Sequence, residues 1–224
     1  MKNITRFFLL VCLLGAVLPI GAQNMGDIKL PPPSKTRGSN MMKTLADRSS
    51  HRESAPRELS LQDLSDLLWA ANGINRPTEH KRTAPSAMNK QDIDLYVFLK
   101  KGTYKYQASE HSLKYMLKGD NRDAVIADQD YEKLKNFPVF VVLVSDLSKF
   151  GIVDLSKFSV KNEGLKMAAA MDAGIISQNI NLFCSAVGWN TVPRITMNVE
   201  DLRKLLKLGD KQLPLMNNPV GYRQ

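Results

Sequence analysis

Two short segments concentrate the residues that could do chemistry. In Arg48-Ser-Ser-His-Arg52, two guanidiniums flank the hydroxyls of Ser49 and Ser50. That spacing can grip a phosphate through charge-assisted hydrogen bonds, and it is also found in ordinary solvated polar turns. In Arg82-Thr-Ala-Pro-Ser-Ala-Met-Asn-Lys-Gln91, Pro, Ser and Asn precede an apolar run. Read alone, this is a fixed turn with exposed backbone donors that leads into a strand. Other chemical signatures are missing. His51, His80, His111 and Cys184 have no metal-ligand spacing. The chain has no Gly-x-Ser-x-Gly elbow, Walker-type loop or Gly-x-Gly-x-x-Gly fingerprint. No catalytic side chain is assigned. Cys184 falls at an apolar helical position and reads as a small buried hydrophobe. Of the 10 methionines, Met167 and Met171 read as core or subunit packing.

The elements that position these segments are legible from periodicity. Ser60-Leu-Gln-Asp63 is a helix N-cap with an acid at the third position, and Leu61, Leu64, Leu67, Leu68 and Ala71 follow at helical spacing until Gly73. Asp94–Lys100 and Gly102–Tyr106 read as two strands joined by a turn. Phe137–Val144 is continuously apolar, as a strand buried on both faces must be. A long helix is predicted from about Asn162 to Val187, rich in small residues and capped by Gly188. Trp189–Val192 follows as a strand, then a short helix from Val199 to Leu206 capped by Asn198, and a final edge strand from Pro214. Asp146-Leu-Ser-Lys-Phe150 recurs as Asp154-Leu-Ser-Lys-Phe158 and reads as a loop or flap. The mixture predicts one α+β domain.

The chain has 224 residues, 43% hydrophobic and 24% charged, with a formal charge of +9. This composition excludes a disordered chain, a collagen-like fibre and a multi-span membrane protein. It begins with Lys2 and Arg6, an apolar run from Phe7 to Leu18, and Pro19-Ile-Gly-Ala22. That is the layout of a secretory signal peptide over residues 1–22, with too short an apolar core to span a bilayer. An exported protein with no stable membrane insertion after cleavage is expected. Cleavage would leave Cys184 as the sole thiol, so the mature fold must rely on its core. Residues 23–43, with Pro31-Pro-Pro33, Gly26 and Gly38, read as an extended linker ahead of a domain over 44–224. The basic residues are scattered and aromatics are 7%, so no nucleic-acid partner is expected.

Taken in order, the two segments resemble the nitroreductase family of flavin mononucleotide (FMN) enzymes. The family opens with an Arg-x-Ser-x-Arg/Lys segment, here Arg48, Ser50 and Arg52. A Pro-Ser-x-x-Asn-x-Gln turn follows, here Pro85, Ser86, Asn89 and Gln91. Asp172-Ala-Gly, Ser177-Gln-Asn179, Ala186-Val-Gly-Trp-Asn-Thr-Val-Pro193 and Pro219-Val-Gly221 continue the likeness. Leu68-Trp-Ala-Ala-Asn-Gly-Ile74, followed by Arg82-Thr-Ala-Pro-Ser86, is similar to the branch that includes the peptide azoline oxidases.

The resemblance implies a mixed, mainly antiparallel sheet flanked by helices in an interwoven homodimer. It implies FMN as cofactor and ping-pong turnover between a small-molecule electron donor and an acceptor. Arg48, Ser49, Ser50 and Arg52 would hold the phosphate and ribityl chain. Pro85, Ser86, Ala87 and Asn89 would reach the flavin of the opposite subunit. Pro193, Ile195 and Thr196 would lie along the ring, mainly through main-chain groups. Two departures stand out. The family often has an acid and a glycine where this chain has Arg194-Ile-Thr-Met197, and Arg223 is the cation near the final strand in place of a basic pair. These departures motivate a different reading, a binding protein on the same fold without redox turnover. The net charge suggests a further one, an exported basic protein that binds acidic polymers.

Overall fold

The structure, a computed structural model, describes residues 26–151 and 162–224. The expected signal peptide and the second Asp-Leu-Ser-Lys-Phe copy lie outside the described residues. In chain order the elements are β1 (Ile28–Lys29), α1 (Met41–Asp47), α2 (Leu61–Asn72), β2 (Ile74–Arg76), β3 (Lys81–Arg82), β4 (Ile93–Leu99), β5 (Gly102–Gln107), β6 (Ser112–Lys118), α3 (Tyr131–Leu134), β7 (Val139–Asp146), α4 (Asn162–Val187), β8 (Trp189–Thr191), α5 (Val199–Leu206) and β9 (Gln212–Tyr222). Seven strands form one sheet in the order β1-β6-β5-β4-β7-β9-β8, and each of its pairings is antiparallel. β2 and β3 make a separate small hairpin.

The central pair, β4 and β7, explains the continuous apolar runs. Leu95, Val97, Val139, Val141 and Leu143 join Leu64, Leu67, Leu68, Ala173, Ile176 and Ile180 in a core beneath α2 and α4. The alternate residues Tyr96, Phe98, Phe140, Val142 and Val144 join Val125, Phe137, Leu202 and Leu206 on the opposite face. A strand with helices on both sides needs apolar residues at every position. Cys184 is fully buried within the first core, where burial pushes its thiol up and out of reactive range.

At the start of α2 the capping box is complete. Asp63 N–H donates to Ser60 Oγ at 3.1 Å, and Ser60 N–H donates back to Asp63 Oδ2 at 3.3 Å. At the end of α4, Gly188 takes the left-handed φ of 76° expected of its cap. Gly221 answers a different demand. A Cβ there would run into Ser54 Oγ, which crosses directly over β9.

Several expectations change. Residues 23–43 were expected as a linker, yet the described part of this stretch is bound to the domain. Ile28–Lys29 pair with β6, and Ser65 Oγ donates to Pro31 O at 2.5 Å. Ser34 N–H donates to Asp66 Oδ1 at 2.7 Å, and α1 already begins at Met41. The final strand is not at the edge: β9 lies between β7 and β8, and three-residue β8 is the edge instead. The Asn198 side chain does not cap α5; its Nδ2 donates to Ile126 O at 3.1 Å. The first Asp146–Phe150 copy is a short 3₁₀ turn closing β7, with Phe150 buried.

Candidate functional site

α1 is capped at its C-terminus by Arg48, whose N–H donates to Thr44 O at 3.0 Å. The next residues run out along the sheet edge. His51 N–H donates to Thr191 O of β8 at 3.0 Å, and Asn190 Nδ2 donates to Glu53 O at 2.9 Å. These ties set the Arg48–Arg52 segment directly beside the β8 edge and the chain that leaves it, Val192 to Thr196. Ser49 Oγ meets His51 Nε2 at 2.8 Å, while Ser49, Ser50 and Arg52 are exposed and Arg48 is half-buried. Neither Arg48 nor Arg52 has an ion-pair or side-chain hydrogen-bond partner among the described residues. Two cations held close on one segment are electrostatically open to an anion.

Beyond β8, Arg194 fixes the chain. Its backbone N–H and C=O both bond to Asn217 of β9, at 2.9 and 2.8 Å, and its guanidinium donates to Asp130 Oδ2 at 2.5 Å. That hydrogen bond holds the Asp130 carboxyl below the usual range, and Arg52 adds to the same positive field. Arg52 therefore lies close to the ring-side segment expected from sequence. Ile195 is 75% exposed, and Asn217 Nδ2 donates to Thr196 O at 3.1 Å. Asn190 Oδ1, Thr191 Oγ1 and Arg194 Nε are buried polar atoms without a partner among the described residues. Such atoms each cost about 1–3 kcal/mol unless something outside the chain satisfies them. All three fall on five consecutive residues, 190–194, of the chain that the Arg48–Arg52 segment borders, while the two open guanidiniums and the exposed Ser49 and Ser50 make a polar and cationic edge. The residues present fit a phosphate-bearing cofactor. Arg223 is exposed just past β9.

The third expected segment is built differently. From Pro85 to Gln91 the chain forms a tight turn in which Met88, Asn89 and Gln91 adopt φ of 51°, 52° and 50°. Ser86 Oγ accepts from Gln91 N–H at 2.8 Å. Ala87 N–H, expected to be open, donates to both oxygens of Asp172 on α4. Arg82 clamps the base through Gln91 Oε1 at 2.8 Å and Asn72 O at 3.1 Å. Pro85 and Asn89 are exposed. No hydrogen bond among the described residues joins this turn to Arg48–Arg52. It attaches at Asp172, whereas α1 attaches at Ser185, where Ser185 Oγ donates to Thr44 O at 2.8 Å. At 1.5 Å per residue the two anchors are about 20 Å apart along α4.

Two partners were not foreseen. Asp130 meets Arg194 across 64 residues of sequence, with no local pattern to mark it. Asp172 did carry a signal, as a lone carboxylate among small residues. Of the aromatic residues near the opposite sheet edge, Tyr106 bonds His111 Nδ1 at 2.9 Å, and His111 Nε2 meets Ser65 Oγ at 2.8 Å.

The Nitroreductase family model matches residues 45–222. A candidate nitroreductase of Methanocaldococcus jannaschii is 26% identical over 186 residues, covering 80% of this chain and 89% of that relative. The crystal structure of a candidate nitroreductase from Ralstonia eutropha superposes with a TM-score of 0.75 at 30% identity, covering 88% of this chain and 90% of that one. A nitroreductase family protein from Clostridium difficile shares the fold with a TM-score of 0.57 at 18% identity, covering 83% of this chain and 85% of that one. With its antiparallel sheet flanked by helices and a family match over most of its length, the chain belongs to the nitroreductase family of oxidoreductases.

Proposed function

We propose that this protein is an exported, FMN-dependent oxidoreductase that works as a homodimer. It takes electrons from a donor and passes them to a small-molecule acceptor in a ping-pong cycle. The observation that carries this reading is a pair of guanidiniums, Arg48 and Arg52, without a partner among the described residues, on a segment that His51 ties to the β8 edge. Arg48, Ser49, Ser50 and Arg52 would hold the phosphate and ribityl chain, with Arg223 nearby. Pro193, Ile195 and Thr196 would present main-chain groups along the ring. Bound FMN supplies hydride transfer; the protein binds it, orients it and places fixed dipoles beside it.

The dimer rests on two separate exposed apolar faces, one on α4 and one on α1. Met167, Met171 and Ile175 recur every fourth residue on α4, and Met171 is 62% exposed. On α1, Met42 is 75% exposed, beside Met41 and Leu45. Contiguous exposed apolar faces mark interaction sites. A second subunit there would also bring a Pro85–Gln91 turn to the site that each chain builds only in part. Within the family, Leu68–Ile74 and Arg82–Ser86 favour the branch that includes the peptide azoline oxidases. Export is favoured by the signal-like residues 1–22 and makes a quinol or a protein a better donor than a nicotinamide nucleotide.

One observation favours a second reading, a binding protein without turnover. Arg194 ties down both backbone groups and its side chain where the family often has glycine nearby, which restricts adjustment beside the ring. The visible spectrum of the purified protein, after FMN addition and desalting, separates the two. Stoichiometric flavin that a donor bleaches and an acceptor restores supports the oxidoreductase. A protein that holds no flavin and gains none on incubation supports the binding protein and removes the oxidoreductase.

A further inference from the structure

α4 has one charged residue between Lys166 and its end at Val187, and that residue is Asp172. It is only 4% exposed, and its two oxygens accept from Ala87 N–H at 3.0 and 2.8 Å. A second carboxyl, Asp92, follows directly on the Pro85–Gln91 turn and is wholly buried. Its Oδ2 accepts from Ser145 Oγ at 2.6 Å, but its Oδ1 has no donor among the described residues. The two carboxyl groups are within hydrogen-bonding reach of one another.

Two adjacent buried carboxylates repel strongly when both are ionised. An unmatched buried oxygen adds its own penalty of about 1–3 kcal/mol. One proton removes both problems, because a protonated Asp172 donates to Asp92 Oδ1 while its other oxygen still accepts from Ala87. We propose that a proton on Asp172, held against Asp92 Oδ1, latches the Pro85–Gln91 turn onto α4, so that its loss from Asp172 loosens the turn.

Burial raises the Asp172 carboxyl to about 6, with the Ala87 N–H opposing and Asp92 adding to the rise. Other charged groups come from each neighbouring element, and none ion-pairs with the two carboxyls among the described residues. The turn carries Lys90. β4 carries Asp94, which is held by Lys105 and Lys149. β7 ends at Asp146, which accepts from the N–H and hydroxyl of Ser148. Asp172 and Asp92 are positioning residues. If the turn serves the partner subunit's cofactor, as the reading above has it, the latch makes that half of the site pH-dependent. The latch itself does not depend on that reading.

Amide hydrogen exchange at Ala87 in the full purified chain, without added flavin, tests it. After correction for intrinsic exchange, opening of this amide in the wild type should increase at least about tenfold between about pH 5 and 7.5, since a pKa change of one unit is tenfold in the coupled equilibrium. Asp172→Asn imitates the protonated state, with its amide donating to Asp92 and its oxygen accepting from Ala87. Asp92→Asn removes the like charge instead. Asp172→Asn should show no such increase, and Asp92→Asn a smaller one than the wild type, because burial alone still raises the Asp172 carboxyl. The infrared carbonyl stretch of a protonated carboxyl should be present in the wild type at pH 5 and gone at pH 7.5. A wild type without the pH-dependent opening, an Asp172→Asn variant that retains it, an Asp92→Asn variant that matches the wild type in full, or no protonated carboxyl at pH 5 would overturn the latch.

Discussion

Arg37 and the pair Arg48 and Arg52 are separated by only a few turns of chain, and the fold treats them in opposite ways. Arg37 is enclosed. Its Nη1 meets Asp63 at 2.6 Å and Asp66 at 2.9 Å, and its guanidinium lies 5.0 Å from the centre of the Trp189 ring. Asp63 in turn accepts from Tyr222 of β9 and Ser60 of the α2 cap, and Asp66 accepts from Gln62 and Ser34. Arg48 and Arg52 lie on the segment that His51 ties to the same β8 edge and meet no acid that pairs with them among the described residues. A guanidinium ringed by carboxylates stabilises the fold. One left open beside unmatched buried atoms is available to a ligand. The difference separates the scaffold from the site more clearly than residue type does.

The largest effect on stability should come from breaking the enclosed side. Arg37→Ala leaves the buried Asp66 carboxylate and Asp63 without their cation, and removal of one partner from a buried pair is strongly destabilising. Arg37 is itself partly exposed and Asp66 keeps two other donors, so a loss of about 2 kcal/mol in urea unfolding is expected rather than the full buried range.

A pH series sharpens the same contrast. Burial pushes the Asp63 carboxyl up, but hydrogen bonds from Tyr222, Ser60 and Arg37 outweigh it and hold Asp63 below its ordinary range. A depressed acid stabilises the fold above its unfolded value, and that contribution is lost as pH falls through the lower folded value. Asp172, raised to about 6, has the opposite sign: its contribution is present below the unfolded value and lost as pH rises toward 6. Unfolding midpoints of Asp63→Asn should fall less steeply than wild type below about pH 4. Those of Asp172→Asn should decline less between about pH 4 and 6. The smallest effect belongs to the open side. Arg48→Ala or Arg52→Ala should change stability by no more than about 0.5 kcal/mol, as for surface positions without partners.

What the sequence shows follows from how local each signal is. The α2 cap, the doubly buried β7 run and the small-residue face of α4 are written in contiguous residues, and each stands where periodicity places it. β1 was illegible because two residues pairing with β6 leave no pattern. β6 alternates, but with lysines on its outward face and no apolar run to mark it. The position of β9 inside the sheet is a matter of topology, which its own residues do not encode. At the site, Arg48 to Arg52 and Pro193 to Thr196 were visible as motifs, and their adjacency came from β8 hydrogen bonds that no spacing reveals. The Asp130 partner of Arg194 and the carboxyl pair beneath the Pro85 turn arise from contacts between residues distant in sequence.

The most direct measurement is a paired titration of FMN and riboflavin into the wild type and an Arg48→Ala/Arg52→Ala double variant. Riboflavin lacks only the phosphate, so the difference between the two ligands isolates the contribution of the open guanidiniums. The wild type should bind FMN at least about tenfold more tightly than riboflavin, given about 1.5–3 kcal/mol for each hydrogen bond to a charged group. The folded double variant should bind both ligands alike. Equal affinity for the two in the wild type, or an undiminished preference for FMN in the variant, would contradict the assignment of this sheet edge as the phosphate site.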